Sequence, residues 1–140
     1  MNAAKEILKP LFDDLQDYDN KVIAGQVYNV KEVQKIVDSH KEELEKVNGK
    51  FFKTEGGGVY NYVFGLDTSC VDEIHVFNYI RLWVDEEFGE LGDVFDGLIA
   101  IENLENYSAE WETEITKEEF VEKLENYFKQ RREYLLSLIN

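Results

Sequence analysis

"EIHVFNYIRLWV", Glu73 to Val84, is the stretch on which the fold turns. Ile74, Val76, Asn78, Ile80, Leu82 and Val84 alternate with His75, Phe77, Tyr79, Arg81 and Trp83. A period of two places successive side chains on opposite faces of a strand. Both sets are largely apolar or aromatic, which predicts a long strand in the middle of a sheet, packed by helix on one face.

Working outward, "FFKTE" (residues 51–55) and "VYNYVFGL" (59–66) are rich in aromatic and β-branched residues and flank Gly56-Gly57-Gly58. That pattern predicts a hairpin. On the other side, the turn-rich "DEEFGELGD" (85–93) leads into "VFDGLIAIENL" (94–104) and then "AEWETEI" (109–115). The last of these reads as a strand with Trp111, Thr113 and Ile115 on one face and Glu110, Glu112 and Glu114 on the other.

Helical spacing flanks these segments. Ala4, Leu8, Leu11 and Leu15, with Ile7 and Phe12 beside them, mark a helix over residues 3–18. Pro10 predicts either a kink or a start near Lys9, because proline removes a backbone donor. Asn29 with Glu32 reads as a capping pair for one helix whose stripe is Val33, Val37, His40, Leu44 and Val47, ended by Asn48-Gly49. Thr116 with Glu119 opens a final helix with Phe120, Leu124, Tyr127, Phe128, Leu135 and Leu138 as its apolar stripe. "KVIAGQVY" (21–28) is a further candidate strand. The expected fold is α+β: one domain over residues 1–140, an antiparallel meander of about four strands with two to three helices packed on one face.

The 140 residues suit one core, and 44% hydrophobic content suffices to fill it. No basic segment followed by an apolar run opens the chain, and no run of roughly 18 apolar residues occurs. With a single cysteine, Cys70, these features lead to the expectation of a cytoplasmic protein outside the membrane.

Charge is placed unevenly. Of the net −15, residues 1–66 contribute −2 and residues 120–140 contribute +1. Asp67 to Glu119 hold 16 acids against Arg81 and Lys117, net −14. The flanks interleave both signs as an ordinary surface does, and the middle does not.

Catalytic groups are not evident. Gly56-Gly57-Gly58 lacks phosphate-loop spacing and leads into a strand. Cys70 and His75 are near in sequence but lack a third group to orient them. "DEEFGELGDVFD" (85–96) lacks the alternating ligands of a calcium loop. The expectation is therefore a protein without catalytic residues, cofactor or metal. Phe77, Tyr79, Arg81 and Trp83 form an alternative ligand-binding row, aromatic side chains with a cation, although a long interior strand needs such side chains for packing.

A segment carrying −14 repels nucleic acid and anionic lipid, and its natural partner is basic. Same-face residues on a strand recur every ~6.7 Å, against ~3.4 Å per phosphate along one strand of a duplex. Carboxylate rows on adjacent strands or loops would approach that density. In size, charge and compactness the chain resembles two sorts of small acidic inhibitor: nucleic-acid mimics that block restriction or RNA-guided defence, and immunity proteins that neutralise nuclease toxins. The partner-binding set expected on that basis is Asp85, Glu86, Glu87, Glu90, Asp93, Asp96, Glu102, Glu105, Glu110, Glu112 and Glu114, with Tyr107 and Phe88 as aromatic contacts. Self-association would join two acidic segments into a longer surface.

Overall fold

The computed structural model describes residues 3–22, 29–68, 74–85 and 91–139. Five strands, β1 (Lys50–Lys53), β2 (Val59–Phe64), β3 (His75–Trp83), β4 (Asp93–Ala100) and β5 (Thr113–Ile115), form one antiparallel sheet in the order β4-β3-β2-β1-β5. The first four make the expected meander. The fifth returns to pair with β1 at the opposite edge, Phe52 facing Glu114. The class is α+β as expected, with one strand more among the described residues.

Among the described residues five helices accompany the sheet: α1 (Ala3–Val22), α2 (Val30–Ser39), α3 (Lys41–Val47), α4 (Ile101–Ser108) and α5 (Lys117–Ile139). They cover both of its faces rather than one. Phe52, Val63, Phe77, Tyr79 and Ile99 point to one side, where Leu8 and Leu11 of α1, Val37 of α2, Leu44 of α3 and Leu104 of α4 complete the main core. Phe51, Tyr60, Tyr62, Ile80 and Leu82 point to the other side and meet Phe120, Leu124 and Tyr127 of α5. The two faces of β3 are both apolar because each has a helical layer to pack against.

Local chemistry explains most boundaries. Gly58 lies at φ +66, and a Cβ there would stand 2.2 Å from the Val84 carbonyl oxygen, so the hairpin after β1 requires glycine at this point. Asn29 caps α2 by accepting from the Lys31 N–H at 3.0 Å, and Thr116 Oγ1 accepts from the Glu119 N–H at 3.1 Å at the start of α5. α1 runs from Ala3 through Pro10, whose side chain is exposed, so the helix does not start near Lys9.

Four expectations need correction. The helix after Asn29 is two helices, because His40 leaves the helical region (φ −107, ψ 21) while its ring hydrogen-bonds Asp14 of α1. "VFDGLIAIENL" changes from strand to helix at Ile101, and Ile101, Leu104 and Ser108 bury one face of α4. Trp111 and Ile115 do not share a face: Trp111 enters the main core and Ile115 packs on the α5 side, since regular alternation begins only at Thr113. The stripe of α5 is buried only in its first half, at Phe120 and Tyr127, while Phe128, Leu135 and Leu138 are exposed. The candidate strand at 21–28 begins with the last residues of α1, and its remainder, like Cys70, lies outside the described residues.

Candidate interaction site

Arg81 projects from β3 on the main-core side, between Asn61 of β2 and Phe95 of β4 in register. Its guanidinium is taken. Nε donates to both Glu110 carboxylate oxygens at 3.1 and 3.0 Å, and an Nη donates to Oε2 at 2.8 Å. Charge-assisted hydrogen bonding of this forked kind raises the affinity of Arg81 for its proton, opposed by burial. The guanidinium carbon also sits 5.6 Å from the Phe95 ring centroid.

The other members of the aromatic row are structural. Phe77 and Tyr79 are buried in the main core and Trp83 is half-buried. Tyr107, expected in a loop, lies on α4 with its ring 5.2 Å from that of Tyr79. Burial first, then hydrogen bonding with Tyr107, pushes the Tyr79 phenol up to about 12 from the usual 10.0. The row is therefore part of the packed interior and its cation is already neutralised.

The Glu110, Glu112, Glu114 row also has partners inside the molecule. Glu110 holds Arg81, Glu114 lies 3.1 Å from Lys50 Nζ, and Glu112 Oε2 accepts from the Glu55 N–H at 3.4 Å. Glu119, just beyond, lies 3.5 Å from Lys53 Nζ. Only Glu114 lies on the edge strand β5, Glu110 and Glu112 preceding it, so the expected strand row of three like charges does not form, and each carboxylate has its own cation or backbone donor.

The acids that converge do so elsewhere. Glu102 and Glu105 of α4 face Asp13 and Asp19 of α1 across a half-open groove of about 580 Å3. Phe12, Leu15, Tyr18, Val33 and Ile101 supply its apolar lining. Glu102 and Glu105 form no ion pair among the described residues, and Asp13 is engaged only by Lys9 in an exposed pair at 2.9 Å. Asp13 and Asp19 were missed because the Lys residues of the N-terminal segment balance its total. The local signal was "DDLQDYD" (13–19), four acids in seven residues.

Asp96 is exposed on β4, on the α5 side of the sheet, and Asp93 caps its own strand by accepting from the Val94 N–H at 2.9 Å. Asp85 follows β3, at the sheet end that β4 enters. Glu86, Glu87, Phe88 and Glu90 lie outside the described residues. Among the described residues no group of three or more His, Cys, Asp or Glu side chains is placed to hold a metal, and no helix is long and apolar enough to cross a membrane. No protein-family model, curated protein or solved structure matches the chain.

Proposed function

We propose that this protein is a non-catalytic acidic inhibitor that binds the nucleic-acid-binding surface of a basic protein. The observation that carries the reading is the groove between α1 and α4, whose lining combines Asp13, Asp19, Glu102 and Glu105 with Phe12, Leu15 and Tyr18. A basic segment suits it: lysine or arginine side chains answer the carboxylates while their alkyl stems lie against Phe12, Leu15 and Tyr18. The net −14 of residues 67–119 supplies a negative field that steers a cationic partner. The small-molecule alternative has less support, because Phe77 and Tyr79 are core residues and Arg81 is held by Glu110.

The test is a low-salt pull-down from lysate of the source organism with the wild type and a variant combining Asp13→Asn, Asp19→Asn, Glu102→Gln and Glu105→Gln. The expected result is a basic nucleic-acid-binding protein captured by the wild type, displaced by duplex DNA or RNA, and lost from the folded variant. Capture of the same partners by both proteins, or capture that nucleic acid does not displace, rejects the reading. Alanine substitutions then separate its two forms. Small, distributed losses mark a nucleic-acid mimic, and collapse at one or two residues marks an immunity-type interface.

A further inference from the structure

The last 12 residues of α5, Phe128 to Ile139, are exposed at every position. Six large apolar side chains are among them: Phe128, Tyr134, Leu135, Leu136, Leu138 and Ile139, with Leu138 at 63% and Ile139 at 78% exposure. They extend as an arm ~18 Å long at ~1.5 Å per residue. An isolated helix shorter than ~12–15 residues is marginal in water, and an arm this apolar calls for a surface to cover it.

The covering surface must be apolar and acidic, because Lys129, Arg131 and Arg132 against Glu133 leave the arm net +2. Arm against arm would oppose two positive segments. The edge strand β4 meets both requirements. Leu98 is 53% exposed on the same side of the sheet as α5, and the adjacent same-face residue is the exposed Asp96. Val94 and Ile80, beside them on this face, are only partly buried.

We infer that two copies of this chain associate about a two-fold axis, the α5 arm of each lying on the β4 face of the other. A two-fold operation pairs each arm with the acceptor of the other copy, and such reciprocal contacts close the assembly at the dimer. If Phe128, Leu135, Leu138 and Ile139, which helical spacing gathers on one side of the arm, each hide roughly 100 Å2 and the acceptor loses as much, the two contacts together exceed the ~1,200 Å2 of a specific interface. The inference does not depend on the proposed function.

The experiment is sedimentation velocity with light scattering on the full chain, from low to high micromolar concentration. The wild type is expected at twice the chain mass. Leu135→Asp with Leu138→Asp, both at exposed positions, is expected to halve it, as is Leu98→Asp. Asp96→Lys and the pair Arg131→Glu with Arg132→Glu should each weaken the dimer, and their combination should restore it. A dimer indifferent to Leu98 and Asp96 overturns the assigned contact. A wild type that remains monomeric across this range overturns the dimer, and species larger than two chains overturn its two-fold closure.

Discussion

Breaking the contact between Arg81 and Glu110 should cost more than an ordinary surface ion pair and less than a fully buried one. The side chains are 23% and 24% exposed, and three N–O contacts of 2.8 to 3.1 Å join them. Unit charges ~4 Å apart at an effective dielectric of ~20 attract by ~4 kcal/mol. Partial desolvation of both groups offsets much of that. Exposed pairs retain ~0.2–1 kcal/mol, and hydrogen bonds to charged groups retain ~1.5–3 kcal/mol. A coupling of about 2 kcal/mol follows for this geometry. The cycle uses Glu110→Gln, Arg81→Met and the double variant, followed by urea unfolding with fluorescence from the fully buried Trp111 as one reporter. Glu110→Gln alone should lower Tm by ~6–8 °C at ~3–4 °C per kcal/mol for a chain of this length. The double variant should cost little more than either single change. A coupling under ~0.5 kcal/mol, or one abolished in ~1 M salt where the screening length is ~3 Å, would show that Glu110 is a solvated surface charge and refute its structural role.

Two further substitutions probe the same face of the sheet. Asn61 is 1% exposed, and neither amide atom has a hydrogen-bond partner among the described residues, so Asn61→Leu should stabilise the protein by ~1–2 kcal/mol in urea unfolding. A loss of stability would show that water or a ligand satisfies the amide. Tyr79 has a folded pKa of about 12 against a usual 10.0, so its contribution is complete below pH 10 and is lost as pH rises through 12. Tyr79→Phe should cost ~1 kcal/mol at neutral pH through the lost hydrogen bond, and should flatten the fall in stability above pH 10. An unchanged alkaline slope, measured by urea midpoints across that range, would reject the assignment.

The features legible in the sequence are those written locally. β3 announces itself by alternation, the β1–β2 hairpin by three glycines, and the starts of α2 and α5 by side chains within three residues of the backbone groups they cap. α4 was hidden because the period changes from two to helical spacing inside one apolar run, "LIAI" (98–101), where strand and helix demand the same residue types. The break at His40 accompanies a hydrogen bond to Asp14, a residue of another helix that its local sequence does not reveal.

The acidic row was legible in its spacing but not in its role. Whether Glu110, Glu112 and Glu114 are free charges depends on Arg81, Lys50 and the Glu55 N–H, which the fold brings from other parts of the chain. Charge counting by segment erred in the same way at both ends. It overstated the free acidity of residues 110–114 and concealed the acids of α1 that meet Glu102 and Glu105. Sequence distance sets a count, whereas spatial distance sets an energy, and at ~4 Å the second decides.

The groove and the α5 arm belong to opposite sides of the sheet, α1 and α4 packing with the main core and α5 with the second cluster. Association through the arms would therefore leave both grooves open. A dimer would present two acidic grooves to one target, and linked sites bind with an avidity that neither has alone, provided the target carries two basic segments at the matching span. Dimer-breaking changes at Leu135 and Leu138 would then weaken capture of a two-site target while leaving a single basic segment bound as tightly as before. Changes at Glu102 and Glu105 would weaken both. Those two patterns separate loss of the second site from loss of the site itself.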